Sequence, residues 1–365
     1  MPSSLKSPVR YDATLEQREE DEAETERGLN DALHQIQQTT ADDYKHAVRG
    51  VHAKAHAMMK GTLTVASGLS AELAQGLFAQ AGEYSALLRF STNPGDILDD
   101  SISVPRGLAI KLLDVPGDRL EGSDDARTQD LILVNGPAFA ASTGKQFLGN
   151  LTLLAKSTDK AEWAKKALSA VLRGTEAALE AVGGESAMLK TMGGAPNVHP
   201  LGETYYSQTA FGYGDHVAKF SLVPVSSNLT GLTGETVNAT GRPDALREDI
   251  AEVMVEGDAE WELRVQLCRD RDTMPIEDPS KPWDEEESPF QTVARLRVPA
   301  QESWSNERQL IGDDQLRFSV WTGLAAHRPL GVINRLRKST YEKSSGFRAD
   351  FNRCPIHEPA TSPID

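Results

Sequence analysis

Arg337, Tyr341 and Arg348 are the side chains whose types and spacing most clearly suggest chemistry. Spacings of four and eleven residues place all three within an arc of about 40° if residues 331–348 form an α-helix. A nearby guanidinium favours the phenolate form of a tyrosine, because the cation stabilises the negative oxygen. Phenolate oxygen binds ferric iron. The segment is therefore a candidate iron site, although the same residues alone also fit an exposed helix with scattered charges.

Residues 49–56, RGVHAKAH, form a second segment with candidate ligands. His52 and His56 are four residues apart, which would place both on one face of a helix, as in zinc-binding H-E-x-x-H motifs. However, Ala53 follows the first histidine where that motif has glutamate, and the segment leads directly into the strand-like residues 61–65. The sequence therefore gives little support to a zinc site.

Residues 49–56 also begin a series of five segments that continues with 88–111 (containing RFST and VPRGLAIK), 130–139 (DLILVNGPAF), 212–219 (GYGDHVAK) and 337–348. Each resembles, in this order, a motif of the haem catalases. The first differs from the family's R-x-V-H-A-K-G only at Ala55. One short motif often matches by chance, whereas several in the family order rarely do. The chain is thus identified as similar to the catalases.

The resemblance implies haem b as the cofactor, with Tyr341 as the iron ligand. His52 is implied as the group that moves a proton between the peroxide oxygens, with Ser91 orienting its ring, and Asn135 as a distal hydrogen-bond donor. Arg49, Arg89 and Arg348 are implied to bind the haem propionates. The cofactor-binding residues implied in this way are Arg49, Val51, Arg89, Phe139, Phe147, Arg337, Tyr341 and Arg348.

Two departures from the family pattern bear on function. Val134 stands where catalases have the first of two asparagines, so Asn135 serves as a distal donor only if the loop shifts by one residue. If it does not, hydrogen peroxide dismutation should be weakened. The sequence also ends 24 residues after Tyr341, where full catalases continue into a helical region. The chain therefore resembles the small catalase-related peroxidases.

Composition excludes several other classes. In 365 residues, 39% are hydrophobic and 25% charged, and no apolar run approaches the ~20 residues that span a bilayer. A net charge of −16 argues against broad binding to nucleic acid or anionic membranes. Residues 1–17 lack the apolar core of a secretory signal, and two cysteines are too few for a disulfide framework. We therefore expect a cytoplasmic protein.

The order of predicted elements indicates an α+β fold, which the resemblance refines to a catalase-like antiparallel β-barrel with inserted and flanking helices. Residues 1–45 are predicted to form an N-terminal arm with a helix at 15–38, and residues 46–365 a haem-binding domain. Helices are predicted within 145–182. Predicted strands cover 61–65, 86–90, 107–113, 131–134, 220–225, 261–267, 292–298 and 316–320.

The expected function is a haem-dependent peroxidase that reduces hydrogen peroxide or organic hydroperoxides, with catalase activity as an addition. The alternatives are a fatty-acid hydroperoxide isomerase or dehydrase, similar to allene oxide synthase, and a non-enzymatic haem-binding protein. The expected partners are a peroxide substrate and a small-molecule electron donor. Neither nucleic acid nor membrane is expected, and a homo-oligomer is left open.

Overall fold

A closed antiparallel barrel forms the centre of the computed structural model, which describes residues 5–123, 126–158 and 197–364. Within these residues the strands are β1 (Ala55–Val65), β2 (Gly82–Thr92), β3 (Arg106–Leu112), β4 (Gln129–Val134), β5 (Tyr205–Tyr206), β6 (Phe211–Tyr213), β7 (His216–Pro224), β8 (Ala259–Leu267) and β9 (Gln291–Val298). Their order is β5-β4-β3-β2-β1-β9-β8-β7-β6. Because β5 also pairs with β7, eight strands close into a ring, and β6 extends beside β7.

Side chains along each strand point alternately into the apolar interior of the barrel and toward its outer face. Phe90 on β2 pairs with Leu108 on β3, which pairs with Leu133 on β4, and all three belong to the barrel core. Directly paired residues share a face, and successive residues point to opposite faces. The next register row, Ser91, Gly107 and Val134, therefore lies on the outer face. This outer row carries part of the candidate site.

Helices cover this outer face. The longer ones are α1 (Glu22–Tyr44), α2 (Gly144–Ser157), α3 (Ala245–Glu256) and α4 (Val332–Asn352). Single-turn helices lie at Ser227–Thr230 and Asn306–Gln309, a π-helical turn at Leu310–Gln315, and 3₁₀ turns at Ala13–Leu15, Gly76–Phe78, Pro200–Gly202 and Ala325–His327. Leu33 of α1, Leu151 of α2 and Leu336 of α4 meet in one buried cluster. Burial of their apolar faces holds the three helices together.

The first turn of α4 is fixed by polar contacts. Gly331 precedes the helix with φ 83°, a left-handed conformation that glycine adopts without steric cost. The Val332 amide donates to Glu277 at 2.6 Å. Arg335 forms ion pairs with Glu16, Glu22 and Glu277, each at 2.9 Å. Burial lowers the pKa of Arg335, but Glu22 and Glu277 outweigh that effect and raise it. The N-terminal segment and the 277 loop thus position the helix that carries Tyr341.

The structure confirms the predicted fold class and all but one of the predicted strands. Residues 316–320 do not form a strand, because their backbone groups are bonded to side chains: the Leu316 carbonyl accepts from Arg49 and Arg348, and the Ser319 amide donates to Asp130. The short strands β5 and β6 were not predicted. The predicted helix at 15–38 instead begins at Glu22 and ends at Tyr44.

Two sequence predictions remain partly or wholly without a test. The helix predicted to start near residue 145 is present as α2, and the remainder of 145–182 falls outside the described residues. The domain boundary between residues 45 and 46 stays a prediction. No helix in the described part of the chain is long and apolar enough to cross a membrane.

Candidate functional site

His52 lies on the outer face of the barrel, immediately before β1. Its ring Nδ1 is 3.2 Å from the Ser91 hydroxyl, and its backbone amide donates to the Asn93 carbonyl at 2.6 Å. The ring rests against Gly107, where a Cβ atom would be only 2.5 Å from the imidazole Cε1. Ser91 and the absence of a side chain at residue 107 therefore fix the orientation of the ring.

The imidazole of His52 is held neutral. Its pKa is lowered from 6.5 to about 3, first by burial and then by the positive charges of Arg89, Arg337 and Arg49. Its Nε2 atom has no hydrogen-bond partner among the residues that the structure describes. A neutral imidazole with one free nitrogen can accept a proton and return it.

Arg337 and Tyr341 lie one turn apart on α4. The Arg337 guanidinium is 5.7 Å from the centre of the Tyr341 ring and also hydrogen-bonds the Asn334 side chain at 3.4 Å. Asn334 is fully buried and bonded to the Ala210 and Leu330 carbonyls, so it anchors Arg337. Tyr341 is half-buried, and within the described ranges its hydroxyl has no hydrogen-bond partner. That oxygen is available to a ligand.

Arg49, Arg89 and Arg348 meet in one place, which we call the arginine cluster. They come from the segment before β1, from β2 and from α4. Arg49 and Arg89 both donate to the Asp313 carboxylate, at 2.9 and 2.7 Å, and Arg348 donates to the Asp313 carbonyl. The fold therefore brings together three cations that are far apart in the sequence.

The arginine cluster is largely withdrawn from water. Arg89 and Arg348 are each 2% exposed. Burial lowers the pKa of Arg348 to about 10, opposed by Asp313, with Arg89 adding to the decrease. Burial and the neighbouring guanidiniums likewise lower the pKa of Arg49. The Nε atom of Arg348 is buried and has no partner in the described part of the chain. Buried cations of this kind require anions nearby.

The side chain of Asn135 takes part in a separate network. Its oxygen accepts from the Arg106 amide at 2.7 Å, and its nitrogen donates to Glu203 at 2.6 Å. Burial raises the pKa of Glu203, while Arg106 and Asn135 oppose that rise. Val134 belongs to the outer register row with Ser91 and Gly107. Ser91 and Gly107 both contact the His52 ring, so the β4 residue in that register row is the apolar Val134 and not Asn135.

Apolar side chains border the helical side of the site. Val51, Phe139 and Phe147 are partly exposed and pack against the cluster formed by α1, α2 and α4. The Phe139 and Phe147 rings meet edge to face at 5.3 Å. Their roles toward a cofactor stay predictions, as do those of the other site residues named from the sequence.

The sequence did not predict a role for two residues of the site, Asp313 and Gly107. Asp313 lies in LIGDDQ, which matches no motif, and its contacts depend on arginines from three distant segments. Gly107 lay inside a recognised segment, but only the folded register shows that it faces His52. Both contacts are tertiary and therefore leave no local pattern.

Several solved structures are similar in fold to this chain. A fungal catalase shares 17% identity over 90% of this chain and 67% of its own, with a TM-score of 0.60. Catalase A from Saccharomyces cerevisiae shares 16% identity over 87% of this chain and 65% of its own, with a TM-score of 0.58. A bacterial catalase shares 17% identity over 90% of this chain and 62% of its own, with a TM-score of 0.59. The chain has a catalase-like fold. It spans about two thirds of the length of these catalases. No family model and no curated protein matches the sequence.

The residues of the candidate site fit a tyrosine-ligated haem. Tyrosine is a known axial ligand of haem iron, and the Tyr341 oxygen is uncommitted among the described residues. The unpartnered Nε of Arg348 could donate to an acidic group of such a ligand. In the described residues no three His, Cys, Asp or Glu side chains group to hold a metal ion directly. Tyr341 is thus the candidate iron ligand.

Proposed function

We propose that this chain is a haem-dependent peroxidase that reduces hydrogen peroxide or organic hydroperoxides with electrons from a small-molecule donor. The observation that carries the proposal is the imidazole of His52, which is neutral and is oriented by Ser91. The charge of Arg337 contributes to lowering the pKa of this imidazole, and the same guanidinium lies over the Tyr341 ring. This electrostatic link supports assigning an acid–base group and a candidate iron ligand to one site.

The cofactor proposed is haem b. Tyr341 would bind the iron as phenolate, with Arg337 stabilising that charge, and the arginine cluster would pair with the propionates. Val51, Phe139 and Phe147 would contact the apolar edge of the macrocycle. Haem iron, when bound, supplies the redox chemistry that breaks the O–O bond.

His52 would move the proton that this cleavage requires. Its free Nε2 takes the proton from one peroxide oxygen and gives it to the other, which leaves as water or, for an organic hydroperoxide, as an alcohol. The Ser91 contact at 3.2 Å holds the ring during both transfers. Because nearby arginines disfavour the imidazolium, the ring releases the proton readily to the leaving oxygen.

The surroundings of Asn135 support reduction by a donor over dismutation. The amide oxygen and one amide hydrogen are used within the protein, by Arg106 and Glu203. Val134 on the His52 side offers no hydrogen bond to peroxide. A site with fewer donors on that side would stabilise a second peroxide less well. A cytoplasmic location and a homo-oligomeric assembly are kept as predictions from the sequence.

The test is to supply haem-loaded protein with hydrogen peroxide, an organic hydroperoxide and a lipid hydroperoxide. Oxidation of an added electron donor supports the proposal. Oxygen release as the dominant reaction would indicate a catalase, and an isomerised lipid product would indicate a hydroperoxide isomerase. A stable haem spectrum without turnover of any peroxide would contradict enzymatic function and support a haem-binding protein.

A further inference from the structure

The arginine cluster already holds a carboxylate of the protein. Oδ1 of Asp313 accepts from Arg49 Nη1 at 2.9 Å, from Arg89 Nε at 2.9 Å and from Arg89 Nη2 at 2.7 Å. Hydrogen bonds between charged partners are roughly twice as strong as neutral ones. Asp313 therefore occupies the position on these guanidiniums that a carboxylate of an external ligand would seek.

The same turn also presents backbone oxygens to the arginines. Arg49 Nη2 donates to the carbonyls of Gly312 at 2.6 Å and Leu316 at 3.0 Å, and Arg348 Nη2 donates to Leu316 at 3.2 Å. These bonds involve neutral acceptors and do not depend on the Asp313 carboxylate. Replacing that carboxylate by an amide would thus change the charge while most of the local hydrogen bonds persist.

The side chain of Asp313 has space beside it. A cavity of about 260 Å³ lies beside it, with Leu310, Asp313 and Asp314 on its lining together with Arg49 and Ile97. The turn is a π-helical one, Leu310–Gln315, and such turns occur frequently at functional sites. The Asp313 side chain is 21% exposed, so it already borders solvent. It can leave the arginines without entering the packed core.

Building on the proposed haem site, we propose that Asp313 is an internal counter-ion that competes with the carboxylates of haem for the arginine cluster. In the haem-free protein it neutralises part of a buried positive charge, which would otherwise destabilise the fold. When haem enters, its propionates must share or replace this carboxylate. Asp313 thereby lowers the affinity for haem and speeds its release.

The test compares Asp313→Asn with the wild-type protein by titrating haem and following its absorption. Because one charged competitor is removed, the Kd for haem should fall about tenfold, and transfer of haem to excess apomyoglobin should slow correspondingly. Asp314→Asn is the matched control: the charge of Asp314 also acts on Arg49 and Arg348, but its carboxylate bonds His46 and Asn352, at 2.8 and 3.2 Å, and no arginine of the cluster. Its haem affinity should stay within about twofold of wild type.

Haem dimethyl ester serves as the second probe, because it lacks the acidic groups. Wild type and Asp313→Asn should bind the diester equally. Asp313→Glu, which keeps the charge, should bind haem as the wild type does and guards against a folding defect in the amide variant. Thermal unfolding of the haem-free proteins should show Asp313→Asn to be folded but less stable.

The outcomes separate this inference from the proposed function. Haem binding that is unchanged or weaker in Asp313→Asn overturns the counter-ion role while leaving the peroxidase proposal intact. A difference that persists with the diester overturns competition between carboxylates. Tighter haem binding without peroxide turnover supports the counter-ion and contradicts the peroxidase. Failure of both proteins to bind haem overturns both.

Discussion

Replacing Gly107 by alanine tests the proposed role of His52 without altering the histidine itself. A Cβ atom at residue 107 would lie 2.5 Å from Cε1 and 2.6 Å from Nδ1 of the imidazole, whereas ordinary contacts are 3.4–4 Å. The ring must therefore move by about 1 Å, which also disturbs its 3.2 Å contact with Ser91. A misplacement of ~1 Å in a catalytic group costs on the order of 10²-fold in rate.

The assay is steady-state oxidation of a donor by haem-loaded protein at saturating peroxide. We expect kcat of Gly107→Ala to fall by about 10²-fold, with the haem spectrum and affinity unchanged because Tyr341 and the arginine cluster are untouched. Gly82→Ala is the control, since Gly82 is also a strand residue and no atom lies within 4 Å of its added Cβ. Full activity in Gly107→Ala would refute the claim that this ring position matters.

Three other predictions concern the same site. Tyr341→Phe should remove the phenolate-to-iron charge-transfer band, and an unchanged spectrum would rule out this ligand. His52→Ala should leave haem bound but slow peroxide cleavage by about 10² to 10⁴-fold, and undiminished turnover would exclude the acid–base role. In the haem-free protein the pKa of His52 is depressed to about 3, so the unfolded state binds the proton first and stability is lost as pH falls from 6.5 toward 3. Urea titrations should therefore show that the free energy of unfolding falls less steeply with decreasing pH in His52→Gln than in the wild type, by up to about 1.4 kcal/mol per pH unit. Identical dependence on pH in the two proteins would contradict the shift in the His52 pKa.

Much of the barrel and the tyrosine helix could be predicted because their signals are local. The β-rich runs of β2 and β3 are followed by turn-forming residues at 93–95 and 116–118, which mark both strands. The spacing of Arg337, Tyr341 and Arg348 requires only a regular helix, which α4 provides. Motif order correctly indicated a catalase-like fold. Such signals depend on near neighbours and on the period of the backbone.

The failures involve contacts between distant segments. Residues 316–320 have the composition of a strand, but Arg49, Arg348 and Asp130 take up backbone groups that a partner strand would need. Strand β5 has two residues, too few for any period, and exists because β4 and β7 lie on either side of it. The proposed role of Asp313 depends on its contacts with three arginines from distant segments. None of these features can be recognised from a window of neighbouring residues.

The closure of the barrel has a consequence for synthesis of the chain. Strand β1 pairs with β9, joining Thr62 to Arg297, so the sheet formed by β1 to β4 keeps two open edges until later segments arrive. At ~5–20 residues per second, roughly 10 to 50 seconds separate translation of Val65, the last residue of β1, from that of Val298, the last residue of β9. Unpaired strand edges attract other chains during such an interval. A nascent chain would therefore benefit from chaperone protection until β9 has been made and the barrel can close.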